Sequence, residues 1–276
     1  MFIKRVMSSV VLVVLALATI LSGGWILALA SLAISMVAFR ELMVACKLSD
    51  PDWRKIRTFD VIGYLSIIFY YLVMLFAQDG RFLILTLFVL LMAFMFGYVF
   101  TFPKYRTEQV MCAFFNVAYA PLMLSCIYLT RQMKYGIYIV WMIFISSWIC
   151  DTCAYLTGIC MGKHRLAPKL SPKKSIEGAV GGIVGAALVG ALYGFFVVEH
   201  VVTTQDITWV FALISAIGAV ISQIGDLAAS AIKRNHEIKD YGKLIPGHGG
   251  IMDRFDSVVF TAPMIYLLAL LMITQI

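Results

Sequence analysis

The chain has 276 residues, 62% of them hydrophobic and 13% charged, with a mean hydropathy of +0.93 and a formal net charge of +7. Soluble domains run at about 45–50% apolar and about 25% charged residues, so this composition excludes an ordinary water-soluble fold. The surplus positive charge borders apolar runs, which fits anionic lipid head groups and phosphates rather than nucleic acid.

A helix needs about 20 apolar residues to cross the hydrocarbon core. In chain order the predicted spans are roughly 7–22, 24–45, 60–77, 82–100, 110–129, 137–160, 177–198, 207–229 and 257–274, about nine transmembrane helices. Backbone amides left unpaired in lipid are too costly, so helices are the default. The short alternating segments of a β-barrel are absent. The first span, with Lys4-Arg5 ahead of it and Ser22-Gly23 behind, also has the form of a secretory signal peptide. An uncleaved first helix serving as the insertion signal is the preferred reading.

Nine spans sort the cations sharply. Loops on the N-terminal side carry 18 of the 22 Lys and Arg residues, the opposite loops carry Arg81, Arg131 and Lys134, and Arg40 falls inside a span. Positive loops stay in the cytoplasm. The N-terminus and segment 230–256 are therefore predicted to be cytoplasmic, and the C-terminus outside. The six cysteines all lie in or beside spans and read as packing residues rather than a disulfide framework. Cys150 and Cys153 form a CxxC, but within a predicted helix.

Segment 230–256, SAIKRNHEIKDYGKLIPGHGGIMDRFD, is the densest polar stretch: it holds nine of the 37 Lys, Arg, Asp and Glu residues. Asp226 lies just upstream, inside an apolar run, and an ionisable residue there is a functional candidate by default. If its helix continues, Asp226, Ser230 and Lys233 fall at i, i+4 and i+7 on one face, with Arg234 adjoining. Asp253 and Asp256 are three apart and would face one point if that stretch opens the last helix. Gly249 and Gly250 would let backbone amides approach an anion. His248 could contact phosphate, shuttle a proton or simply shape the chain. Magnesium takes one or two carboxylates completed by phosphates and water, and Asp226 with Asp253 would meet that need. A second metal ion is compatible with phosphoryl transfer. Lys233, Arg234, Lys239 and Arg254 would neutralise phosphates.

The basic loop 162–178, GKHRLAPKLSPKKSIEG, is the second candidate. It could be no more than the positive-inside signal. Yet Ser171, Pro172, Lys173 and Glu177 stand where a helix starts, and helix N-termini attract phosphate. Asp151 and Glu177 add carboxylates on the same predicted side; a helix cap or an internal salt bridge is the structural alternative for both. Walker A, GxSxG and HExxH sequences are absent, which removes the common P-loop, hydrolase and zinc-protease readings.

These residues resemble the signature of the phosphatidate cytidylyltransferases (CDP-diacylglycerol synthases): Ser230-x-Ile232-Lys233-Arg234, then Lys239-Asp240, Gly242, Pro246, His248-Gly249-Gly250, Asp253-Arg254 and Asp256. Asp151, Ala154-Tyr155, Gly158, Gly162-Lys163, Ser171-Pro172-x-Lys174 and Glu177-Gly178 also look like this family, so the resemblance covers about residues 145–270. It implies an all-α polytopic membrane enzyme with a cytoplasmic-facing polar cleft, a single integral domain whose N-terminal helices are 1–135 and whose catalytic helices are 136–276. The implied reaction joins CTP and phosphatidate to give CDP-diacylglycerol and pyrophosphate, at a bacterial inner membrane, in a homodimer. The resemblance implies catalytic roles for Asp226, Lys233 and Asp253 and a magnesium site of Asp226, Asp253 and Asp256. Substrate contacts would come from Ser230, Lys233, Arg234, Lys239, His248, Gly249, Gly250, Arg254, Asp151, Lys163, Ser171 and Lys173. The alternatives are another CTP-dependent lipid or polyprenol phosphotransferase, or an ion-coupled transporter. A transporter expects its charges near the midplane, whereas these gather at one face.

Overall fold

Apolar runs become helices throughout. The computed structural model describes residues 2–77, 80–202, 207–245 and 249–273, with only the backbone described for 2–10 and 12. In chain order the helices are α1 (Phe2–Ser22), α2 (Gly24–Ala45), α3 (Thr58–Phe76), α4 (Arg81–Thr101), α5 (Thr107–Val117), α6 (Met123–Gln132), α7 (Gly136–Ile139), α8 (Trp141–Phe144) and α9 (Cys150–Met161). After a hairpin of β1 (Arg165–Ala167) and β2 (Ser171–Ser175) come α10 (Ile176–Tyr193), α11 (Ile207–Asn235), α12 (Met252–Phe255) and α13 (Val258–Met272).

Seven helical stretches among the described residues are long and apolar enough to cross a membrane: Gly24–Ala45, Thr58–Phe76, Arg81–Thr101, Thr107–Gln132, Gly136–Met161, Ile176–Val198 and Ile207–Asn235. They coincide with the second to eighth predicted spans. The first and ninth are represented by shorter apolar helical stretches, Val13–Ser22 and Val258–Met272. Three spans are continued through π-helical turns, Ala118–Leu122, Ile145–Ile149 and Gly194–Val198. Pro121 explains the first, since it lacks the amide an α-helix needs there. The second ends two residues before Asp151, and π turns are frequent beside functional residues.

The chain divides into two compact units, residues 1–125 with 238–254, and residues 126–237 with 255–276. The polar segment 230–256 has residues 230–237 and 255–256 in the second unit and 238–254 in the first. In the first unit α2, α3 and α5 pack around Phe39, Phe94 and Val110, all fully buried. α4 buries only Thr86, Leu90 and Phe94 and leaves an apolar outer face, as a lipid-facing helix must.

Two buried charged groups of the first unit, Arg40 and Asp60, are paired with each other. Arg40 Nη1 meets Asp60 Oδ2 at 2.7 Å, with side chains 2% and 0% exposed. Arg40 Nη2 also donates to the carbonyls of Asp50, Asp52 and Lys55 at 2.8–3.1 Å, gathering the loop after α2. Asp60 accepts from the Arg57 amide at 2.8 Å and from the Ser49 hydroxyl, closing the start of α3.

In the second unit α10 packs against both α9 and α11. A Cβ on Gly178 would lie 2.7 Å from Ala154 O, and one on Gly182 would lie 2.9 Å from Cys150 O and Sγ. Only glycine lets the two backbones come this close, the small-residue packing that membrane helices use where water exclusion gives no help. Cys150 is buried in this contact and approaches Ala219 O at 3.8 Å, so it packs as the sequence indicates.

Candidate functional site

α11 has 29 residues, about 44 Å at 1.5 Å per residue, against a hydrocarbon core of about 30 Å. One end must therefore project, and its last three turns carry Asp226, Ser230, Lys233 and Arg234. The i, i+4 relation holds: Ser230 Oγ lies 3.5 Å from Asp226 Oδ1. Lys233 Nζ approaches Asp256 Oδ2, just ahead of α13, at 3.7 Å.

Residues 165–175, expected as part of a basic loop, form the β1–β2 hairpin, with Arg165 paired to Ser175 and Ala167 to Ser171. Lys173 is exposed and Lys174 half-buried. Lys174 forms an ion pair with Asp226. Arg234 Nε reaches the hairpin turn at Leu170 O, 3.5 Å away. Thus the hairpin, α11 and the segment before α13 place two lysines against two aspartates. A cavity of about 510 Å³ runs alongside, lined by Asp151, Arg165, Lys173, Lys174, Gln223 and Asp226.

Asp256 has its carboxyl pushed up to about 7. Burial is the main cause, the Asp226 and Asp151 charges add to it, and Lys233 and the Ser257 amide oppose it. A carboxyl that resists ionising beside another carboxylate marks a place where a further cation is stabilising. Among the described residues no group of three or more His, Cys, Asp or Glu side chains is arranged to hold a metal by itself. Magnesium does not require one, because substrate phosphates and water complete its shell. The hard oxygen donors of Asp226 and Asp256 fit that ion.

Asp253 belongs to the first unit and is 7% exposed. Its Oδ2 accepts the amides of Tyr241 at 2.8 Å and Gly250 at 3.0 Å. The Gly250 amide, expected to face phosphate, is therefore engaged by Asp253. Gly249 has φ +84° and would put a Cβ 2.8 Å from Asp253 Oδ2, so its glycine identity is required on both counts. Lys239 lines a separate cavity of about 710 Å³ in this unit, with Trp53, Lys243 and Leu244. Arg254 is exposed, and His248 lies outside the described residues.

The remaining candidates divide in a similar way. Ser171 is half-buried at the start of β2, and Lys163 is exposed with its amide donating to Glu177 Oε2 at 3.1 Å. Glu177 also meets His164 Nδ1 at 2.6 Å, the internal-contact role left open for it. Sequence reasoning missed Glu41, a buried carboxylate in α2 that accepts the amides of Ile251 and Met252. Its signal was available, since Arg40-Glu41 is a charged pair within an apolar run. Lys174 was also passed over as a site residue in favour of Lys173, because the loop was not read as a strand.

A polytopic helical membrane protein with acidic and basic side chains gathered at one helix end is the class defined so far. The chain belongs to the cytidylyltransferase family, whose model matches residues 3–272. More narrowly, it is similar to proteins named phosphatidate cytidylyltransferase. That of Staphylococcus saprophyticus subsp. saprophyticus is 30% identical over 96% of this chain and 97% of that protein. That of Staphylococcus haemolyticus is 31% identical over 97% and 99%, and that of Staphylococcus aureus 30% identical over 96% and 97%.

Proposed function

We propose that this protein transfers the cytidylyl group of CTP to phosphatidate, giving CDP-diacylglycerol and pyrophosphate in phospholipid synthesis. The observation that carries the reading is the pairing of Lys174 with Asp226 and of Lys233 with Asp256 in a member of the cytidylyltransferase family.

A phosphate oxygen of phosphatidate attacks the α-phosphorus of CTP, forming a new P–O bond as the bond to the β-phosphate breaks and pyrophosphate leaves. The nucleophile is already an anion, so no protein base is required. Catalysis then rests on positioning and on neutralising charge. Lys174 and Lys233 are placed to exchange their aspartate partners for phosphate oxygens. Asp226 and Asp256 would hold magnesium, which supplies charge neutralisation on the phosphates when bound. Asp253 joins the metal set on the family motif alone. Lys173, Arg165 and Arg234 add positive charge along the hairpin, and Asp151 adds negative charge at the cavity wall.

The charge asymmetry of the loops supports a cytoplasmic N-terminus and reaction site, an outer C-terminus, and an inner-membrane location, with CTP supplied from the cytoplasm. The homodimer is carried by family resemblance. The test is purified protein in detergent with labelled CTP, phosphatidate and magnesium. Equimolar CDP-lipid and pyrophosphate is the expected result; phosphorylation of a polyprenol in its place overturns the reading.

A further inference from the structure

Glu41 lies in the apolar helix α2, is 4% exposed, and has no part in the proposed transfer chemistry. Its Oε1 accepts the amide of Ile251 at 3.0 Å and its Oε2 the amide of Met252 at 2.8 Å. The preceding amide, Gly250, donates to Asp253 Oδ2 at 3.0 Å. Three consecutive amides are thus taken by two carboxylates, one of them from a helix near the other end of the chain. Amides at the start of a helical turn need acceptors, and a local side chain usually provides one. Here the acceptor comes from a membrane helix, so the turn is tied to a rigid element.

Two glycines of the family motif follow from this contact. A Cβ added to Gly242 or to Gly250 would overlap the Glu41 carboxylate. Neither glycine has a positive φ, so neither is required by backbone conformation. They are small because Glu41 occupies the space. A buried carboxylate without donors would be costly in this apolar setting, so Glu41 and the turn hold each other in place.

We propose that Glu41 is a positioning residue for cytidylyl transfer: it fixes the 249–253 turn and, through it, the placement of Asp253 and Arg254. This rests on the proposed function for its catalytic arm, but the tie itself is independent of it. Misplacing a reacting group by about 1 Å costs about 10²-fold in rate even when binding is intact. The effect therefore falls on kcat.

The experiment compares wild type with Glu41→Gln, which keeps one acceptor, and Glu41→Ala, which keeps none. Two readouts are used: steady-state kinetics, and hydrogen exchange of the peptide covering 249–253. Expected are a kcat loss of about tenfold for Glu41→Gln and about 10²-fold for Glu41→Ala, with KM for CTP and phosphatidate moving less than about threefold. Exchange at Ile251 and Met252 should accelerate in both variants at an unchanged melting temperature for Glu41→Gln. Gly242→Ala should lower kcat in the wild-type background and do less harm beside Glu41→Ala, since the space it needs is then free. Wild-type kcat in Glu41→Gln, or unchanged exchange at 251–252, overturns the proposal. A fall in folded yield with normal kcat per folded molecule also overturns it, since that is structural support alone. Should wild type form no CDP-lipid, the functional reading fails, and the exchange arm still decides whether the tie exists.

Discussion

Lys174, half-buried in a short β-strand, forms an ion pair with Asp226 in the C-terminal part of α11. Two residues of opposite charge, each half-buried and each beside a second such pair, are a poor use of membrane protein surface unless something displaces them. In the proposed reaction a phosphate would take the place of the carboxylate beside Lys174, and a divalent cation that of the lysine beside Asp226.

Asp226→Asn removes the charge while keeping the shape. Turnover should fall by about 10²-fold or more, on the scale of losing one electrostatic contact to a developing charge. Lys174→Met should also lower turnover, whereas Lys173→Met, at the more exposed lysine beside the Lys174–Asp226 pair, should do less. Initial rates with saturating CTP and phosphatidate check the order. Equal losses at 173 and 174 would count against the Lys174–Asp226 contact as the one that matters.

Asp256 predicts a pH dependence in metal-free protein. Its carboxyl is pushed up from 3.8 to about 7, so the folded state prefers the protonated form. The stabilisation it contributes is complete below about pH 3.8 and is lost as pH rises through about 7. Melting temperature should therefore decline from about pH 4 to about pH 7 more steeply in wild type than in Asp256→Asn, and level off above that. Magnesium favours the ionised form, so its stabilising effect should grow over the same interval and shrink in the variant. A wild-type profile parallel to that of Asp256→Asn would remove the basis for this coupling.

The buried Arg40–Asp60 pair should matter to folding rather than chemistry. Removing one partner of such a pair leaves an uncompensated charge and costs about 3–5 kcal/mol. Asp60→Ala should therefore unfold at clearly lower denaturant than wild type, measured in one detergent. The double variant Arg40→Met with Asp60→Leu should recover part of that loss, with the remainder reflecting the three loop carbonyls that Arg40 also holds.

Gly182→Val tests the contact between α9 and α10. Its side chain would press on the Cys150 carbonyl and sulfur, and overpacking of this kind costs about 1–3 kcal/mol. A thermal shift in detergent reads the loss. An unchanged melting temperature would mean that the helices do not approach as closely as described.

Much of this was legible in the sequence because membrane helices announce themselves by length and apolarity. The positions of Asp226, Ser230 and Lys233 followed from helical spacing, which the long α11 preserves. The hairpin at 165–175 was not legible, since Arg165, Pro168, Lys173 and Lys174 carry no apolar alternation; its strands are held by hairpin pairing and by contacts to α10. Gly249 and Gly250 read as letting backbone amides approach an anion, because glycines have that freedom. The amides of Gly250, Ile251 and Met252 are taken instead by Asp253 and Glu41, and a partner some 200 residues away leaves no local pattern. The seven long spans matched, and α13, predicted as 257–274, is described over 15 residues, Val258–Met272.

The central claim is that Asp226 and Asp256 act together on a nucleotide phosphate through a bound cation. Its most direct measurement is CDP-diacylglycerol formation by the purified protein from labelled CTP and phosphatidate as magnesium is titrated, in wild type, Asp226→Asn and Asp256→Asn. Wild type should give magnesium-dependent product and pyrophosphate in equal amounts, and both variants should lose turnover that added magnesium does not restore. Full activity in either variant, or magnesium-independent turnover in wild type, would contradict it.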